Sequence, residues 1–213
     1  MQVQAILFDF DGTLADTMHN HFLCWKQSLE EIGVTLNERD YYPLEGASLG
    51  KIAEKFVGSR EEKIIEKIVK RKKQLYVAMH KNTPVSFYPG VLELIQFLTS
   101  KYPLAIVTAG HEDQLKKTVP KEFLALFKCL VCGDAVEKNK PSPEPYLKAC
   151  EQLKMDPKAC VVIENAPLGI TSAKKAGCYC IGIKSTCEEN QLLEADETIT
   201  KITQLLTAKV FIN

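Results

Sequence analysis

Five short apolar runs punctuate the chain: AILFDFD (5–11), LAIVTAG (104–110), CLVCGD (129–134), CVVIEN (160–165) and CYCIGIK (178–184). Each is apolar on both faces, which predicts strands buried in a parallel sheet. Helical spacing predicts helices between them. One over 91–100 leads into the second run, and one over 112–127 follows it and breaks near Pro120. A third over 143–153 carries Pro near its start, where a helix tolerates it. A fourth over 168–176 stops at Gly177, a suitable C-terminal glycine. Strands and helices in alternation predict a doubly wound α/β sheet.

One stretch breaks the alternation. Residues 16–84 carry helical signals only. Met18, Phe22, Trp25, Leu29 and Ile32 follow one another at spacings of four, three, four and three, forming a single apolar seam. Ile64, Ile65, Ile68, Val69, Leu75, Tyr76 and Met79 form a second amphipathic pattern. The pattern predicts a helical cap over 16–84 inserted into a core made of 1–15 and 85–213. Hinges are expected near residues 14–16 and 83–89.

The chain has 213 residues, with 27 Lys+Arg balancing 27 Asp+Glu. A balanced charge argues against nucleic acid or a membrane surface as partner. The longest basic run, Lys70-Arg71-Lys72-Lys73, lies within the second amphipathic pattern and is expected to be a solvated helix face. No run is apolar for long enough to span a bilayer, and the start, MQVQAILFDF, does not read as a signal peptide. A cytoplasmic protein is expected, with its eight cysteines reduced. Cys129 and Cys132 lie three apart on a predicted strand and so face opposite ways, which argues against a shared metal or redox site.

Asp9 and Asp11 end the first run, two residues apart. On a strand they would project to the same side, at the end of the sheet where open α/β folds bind ligands. Gly12 permits a sharp turn there, and Thr13 adds a hydroxyl. Paired carboxylates at one point suit Mg²⁺, or let one act as nucleophile and the other as acid and base. The bland alternative is a turn, with Asp16 capping the next helix.

The stretch DFDGTLADT resembles the first motif of the haloacid dehalogenase superfamily, in its phosphatase and phosphomutase branch. Thr108 in IVTAG, Lys140 in NKPSPEPYLKA and Glu164-Asn165 in VVIENAPLGI are similar to the second, third and fourth motifs, in order. The cap is similar to the helical type of β-phosphoglucomutase-like proteins, at His21-Phe22, Trp25-Lys26, EGAS (45–48) and FYPGVLEL (87–94). The resemblance covers the whole chain. It implies a Rossmann-like core and gives Asp9 as nucleophile, Asp11 as general acid and base, Thr108 as a donor to the phosphoryl oxygens and Lys140 as their counter-ion. Fixed donors of this kind supply ~2.7–4 kcal/mol each. It implies Mg²⁺ held by Asp9, Asp11, Glu164 and Asn165, with Gly12, Thr13, His21, Gly46, Ala109 and Gly110 around the substrate. In isolation, Thr108 and Glu164 would read as ordinary strand-end residues and Lys140 as a solvated loop lysine, with Lys138 the alternative in that loop.

Two positions depart from the family pattern. Asn165 stands where a carboxylate is usual, which predicts weaker metal binding. Leu49 stands where β-phosphoglucomutases carry an arginine for the substrate's second phosphate. The expected function is therefore Mg²⁺-dependent hydrolysis of a small phosphorylated metabolite, such as a sugar phosphate, through a phosphoaspartate. A hexose-phosphate mutase and a catalytically silent metabolite-binding protein are the rivals. A monomer is the default expectation.

Overall fold

A computed structural model describes residues 2–58 and 61–212. Six parallel strands form one sheet in the order β3-β2-β1-β4-β5-β6. They are β1 (Ala5–Phe8), β2 (Leu104–Val107), β3 (Cys129–Val131), β4 (Cys160–Glu164), β5 (Tyr179–Ile183) and β6 (Glu197–Ile199). The register pairs Leu7 with Ala105 on one side and with Val162 on the other. The direction in which strands are added thus reverses at β1, and ligands of open α/β sheets bind at such a switch point.

Both sheet faces are buried, as the unbroken apolar runs predict. Ile6, Phe8, Ile106 and Ile163 pack into one core, Ala5, Leu7, Val107 and Val162 into the other. Neighbouring strand residues thus serve opposite layers. The elements of the chain between β1 and β2 are α1 (Met18–Glu30), α2 (Glu38–Tyr41), α3 (Leu49–Val57), α4 (Glu62–Met79) and α5 (Val91–Thr99). After β2 come α6 (Glu112–Thr118), α7 (Lys121–Leu124), α8 (Glu144–Leu153), α9 (Pro167–Ala176) and α10 (Lys209–Ile212). Helix α5 covers the first core through Val91, Ile95 and Leu98. Helices α8 and α9 cover the second through Tyr146, Ala149, Ile170 and Ala173. Helices α1, α3 and α4 enclose a third core around Phe22, Trp25, Leu29, Ile52 and Ile68. The chain passes to and from this helical unit by two adjacent strands of backbone, with Asp16 N–H bonded to Ser86 O at 2.9 Å and Tyr88 N–H to Leu14 O at 3.0 Å.

Several local expectations are corrected. Strand β1 ends at Phe8, so Asp9, Phe10 and Asp11 lie beyond it rather than on it. Strand β6 was not foreseen, because a three-residue edge strand reading ETI has no apolar run. Ile32 and Met79 are exposed, since α1 ends at Glu30 and the last turn of α4 passes the edge of the cap core. Most important, Lys72 of the basic run is 1% exposed. It follows Ile68 and precedes Tyr76 at spacings of four, so it shares their inward stripe. The break near Pro120 falls between α6 and α7. Cys129 packs with one core and Cys132 with the other, and all eight cysteines are free thiols. Among the described residues no helix is long and apolar enough to cross a membrane.

Candidate active site

The site forms where β1, β2 and β4 end. Asp9 continues the ladder, its N–H bonded to Ile163 O at 3.0 Å. The chain then turns, with Leu14 and Ala15 N–H both bonded to Phe10 O at 3.0 Å. Gly12 carries φ +87°, and a Cβ there would sit 2.3 Å from the Asn165 amide nitrogen. Glycine is thus required both by backbone conformation and by space. This turn, rather than strand alternation, brings Asp11 beside Asp9. Both line one cavity with His21, Gly46, Lys72, Thr108, Ala109, Gly110 and Asn165.

Asp9 faces the core. Lys140 Nζ lies 2.6 Å from Asp9 Oδ1, 2.6 Å from Glu164 Oε1 and 3.1 Å from Val107 O. All three side chains are buried. Burial pushes the Asp9 carboxyl up to about 8; Lys140 opposes this, while Glu164 and Asp11 add to it. Burial alone would depress Lys140, but its two carboxylate neighbours hold it above the ordinary lysine range. Glu164 is used up by protein donors: Oε1 also accepts from Tyr146 OH at 3.1 Å, and Oε2 from Ala166 N–H at 2.9 Å. It faces Lys140 rather than the cavity. A Cβ on Gly169 would fall 1.6 Å from Glu164 Oε1, so α9 fits against this carboxylate only because residue 169 is glycine. Lys138 is exposed and only its backbone N–H bonds, to Glu144.

Asp11 faces the cap. Oδ1 accepts from Thr17 Oγ1 at 2.7 Å and from His21 Nε2 at 2.9 Å, and Oδ2 from Thr108 Oγ1 at 3.3 Å. Burial would raise its carboxyl, but His21 and Thr17 hold it well below the usual range. His21 Nδ1 lies 2.7 Å from Lys72 Nζ, and its ring stacks on Tyr76 at 4.2 Å. Burial, then Lys72, depresses His21. An ammonium has donors only, so Nδ1 must accept from Lys72 while Nε2–H donates to Asp11. The imidazole is therefore neutral, and the chain Lys72–His21–Asp11 has one direction. Burial also brings Lys72 down to about 8. Lys72 and Thr17 were missed in the sequence, although the 68–72–76 spacing carried the signal.

Asn165 makes three side-chain hydrogen bonds. Its Oδ1 accepts from Thr13 Oγ1 at 3.1 Å, and its Nδ2 donates to Thr186 Oγ1 at 2.9 Å and to Glu45 Oε2 at 3.2 Å. Thr186 in turn donates to Glu45 Oε2 at 2.7 Å. Glu45 comes from the cap loop before α3, so Asn165 and Thr186 tie the cap to the core. Gly46 follows, against Ala166 and Leu168. Thr13 is buried behind Asn165 and does not line the cavity. The cavity encloses about 50 Å³, room for only a few waters at ~10–15 Å³ each. The helices between β1 and β2 thus lie close over the carboxylates.

The donors near Asp9 are hard oxygens. Among the described residues no three His, Cys, Asp or Glu side chains form a metal cage, but Mg²⁺ keeps several waters and needs only one or two carboxylates. Asp9 has one oxygen outside the Lys140 bond, and Asp9 and Glu164 share that lysine as their cation. The residues therefore fit a divalent cation bound mainly by Asp9, with Asn165 Oδ1 as a neutral donor.

Comparison with known proteins shows the family. The haloacid dehalogenase-like hydrolase family matches residues 6–183, and the chain belongs to it. It is 29% identical over 209 residues to validoxylamine A 7'-phosphate phosphatase of Streptomyces hygroscopicus subsp. limoneus, covering 95% of each chain. It is 28% identical over 188 residues to β-phosphoglucomutase of Bacillus subtilis, covering 85% of this chain and 83% of that one. CbbY from Rhodobacter sphaeroides, solved in complex with phosphate, superposes with a TM-score of 0.83 at 25% identity, over 96% of each chain. The protein is an enzyme whose homologues are phosphatases and phosphomutases, and such members of the family generally use Mg²⁺.

Proposed function

We propose that the protein is a Mg²⁺-dependent phosphatase of small phosphorylated metabolites that works through a phosphoaspartate on Asp9. One observation carries the reading: two carboxylates line one cavity in opposite settings, Asp9 against Lys140 and Asp11 against the His21–Lys72 chain. Carboxylates placed in such different environments divide into separate chemical roles.

An Asp9 oxygen attacks phosphorus, the P–O bond to the alcohol breaks, and Asp11 gives its proton to the leaving oxygen. Water then attacks the phosphoryl group, Asp11 takes its proton, and the bond to Asp9 breaks to release phosphate. The approach of a phosphoryl dianion raises the proton affinity of Asp11, which prepares it as an acid. Its ionised form, supported by Thr17 and His21, is the base of the second step. Lys140 offsets the repulsion between Asp9 and the phosphoryl group. Mg²⁺, held by Asp9, the Asp11 backbone carbonyl and Asn165, would supply further positive charge to the phosphoryl oxygens. A sugar-sized substrate exceeds the cavity, so the cap opens and closes in each turnover.

Hydrolysis is favoured over mutase chemistry because Leu49 lines the cavity, and the ammonium among its lining residues, Lys72, is already bonded to His21. The test is phosphate release from a panel of phosphorylated metabolites, with Mg²⁺ or EDTA, beside Asp9→Asn. Mg²⁺-dependent release lost in the variant is expected. Conversion of glucose 1-phosphate to its 6-isomer with a bisphosphate primer, without free phosphate, would overturn the reading in favour of the mutase.

A further inference from the structure

Two buried side-chain oxygens among the described residues have no hydrogen-bond partner, Glu45 Oε1 and Gln114 Oε1. Both residues line the cavity that holds Asp9 and Asp11. They reach it from separate elements, Glu45 from the cap loop before α3 and Gln114 from α6 of the core. Buried acceptors are nearly always satisfied in folded proteins. Two unsatisfied ones in a single cavity mark places where a bound molecule brings donors.

Resting on the phosphatase reading, we propose that Glu45 and Gln114 are the specificity-determining residues for the leaving alcohol. Their free oxygens accept hydrogen bonds from hydroxyl or ammonium groups. The substrate is then the monophosphate ester of a small polyol or amino alcohol that carries no second anion.

The carboxylate of Glu45 is positioned by the core. Thr186 and Asn165 both donate to its Oε2, which leaves Oε1 for the ligand. A neutral residue at 165 is what permits this, because a carboxylate there would repel Glu45 across the same contact. The unusual Asn165 and the acidic cap residue are thus one arrangement. The cavity's sign agrees. Its lining ammonium, Lys72, donates to the neutral His21, which in turn donates to Asp11. Leu49 and Trp25 make part of the remaining wall apolar. A second phosphate or a carboxylate would meet Glu45 with no spare cation, a repulsive contact that selects as strongly as an attractive one. An ester without donors would leave both oxygens unpaired, and such sites discriminate against analogues that lack the donor.

The test measures binding to Asp9→Asn by calorimetry in Mg²⁺, with glycerol 3-phosphate, phosphoethanolamine, phosphoglycolate and phenyl phosphate. The first, the second or both should bind at least tenfold more tightly than the last two; which of them does so separates polyol from amino alcohol. Adding Glu45→Leu or Gln114→Leu should remove most of that advantage and leave phenyl phosphate within about threefold. Glu45→Gln keeps the size of the side chain and should weaken the ammonium ester more than the polyol. Equal affinity for phosphoglycolate and glycerol 3-phosphate, or an order of affinity unmoved by all three variants, would overturn the proposal. Phosphate release by the unsubstituted protein is scored separately. The binding order without any release keeps this inference and removes the phosphatase reading. Release with a flat binding order does the reverse.

Discussion

The two walls of the cavity are built on opposite plans. On the core wall, Lys140, Glu164 and Tyr146 form a closed set of bonds around Asp9, 2.6–3.1 Å long, fully shielded from solvent. On the cap side, Trp25, Leu44, Leu49 and Ile52 present apolar surface, and Glu45 keeps one oxygen unpaired. A reaction at phosphorus always meets the same group, so its machinery can be completed within the protein. A leaving alcohol varies, so the surface that receives it is completed only by the ligand. Asp11 stands between the two and is held from the cap by His21 and from the core by Thr108. This carboxylate is thus held jointly by α1 and the core.

The strongest way to break this contrast is at the core wall. Asp9→Asn should abolish phosphate release, by roughly four orders of magnitude or more, while the circular dichroism spectrum is retained. Lys140→Met should also inactivate, and it leaves two buried carboxylates without their cation. Removal of one partner from such a pair costs ~3–5 kcal/mol, so urea unfolding should show a large fall in stability. An active and stable Lys140→Met protein would show that the core wall does not depend on its closed bonds.

The cap side should respond less. Lys72→Met cuts the chain to Asp11 and should lower kcat by ~10²-fold, the smaller end of general acid–base effects. It should also move the alkaline limb of the rate profile, since Lys72 loses its proton near pH 8. A pH–rate series on both proteins decides it, and unchanged profiles would mean that His21 positions Asp11 unaided. Asn165→Asp supplies the usual family carboxylate but sets it 3.2 Å from Glu45. We expect about a tenfold fall in kcat/KM, because like charges this close repel, with recovery when Glu45→Gln is added. A double-mutant cycle measures that coupling.

The smallest effect is on stability against pH. The Asp9 carboxyl is pushed up from 3.8 to about 8 and Glu45 from 4.5 to about 7, in both cases first by burial. Without Mg²⁺, burial makes both carboxyls bind a proton more tightly in the folded protein than in the unfolded chain. Their contribution is complete below about pH 4 and is lost as pH rises through 7 to 8. Calorimetry in EDTA should therefore show Tm falling between pH 5 and pH 8, by about 2–4 °C for each kcal/mol. Mg²⁺ keeps Asp9 ionised and should flatten the slope.

Much of the architecture was legible in the sequence because it follows from short-range pattern. Unbroken apolar runs located β1 to β5, helical periodicity located α1 and α4, and Pro120 and Gly177 marked a break and an end. The order of motifs brought Asp9, Asp11, Thr108 and Lys140 together as candidates. Other features lay beyond such patterns. Strand β6 is an edge strand whose partner, not its composition, makes it a strand. Lys72 read as one of four solvated cations, and only the packing of α4 against α1 shows that it ends on His21.

The sequence by itself pointed to the class of enzyme, through the resemblance of four motifs in their order to a known family. The tertiary structure decided how those groups are used. Glu164 serves Lys140, Asn165 holds Glu45, and the turn at Gly12 rather than strand alternation brings Asp11 beside Asp9. The partners in these contacts lie 24 residues apart for Lys140 and Glu164 and 120 for Glu45 and Asn165. A periodic pattern reports which side of its own element a residue faces. It carries no information about which distant group waits on that side, and that is settled only when the elements pack.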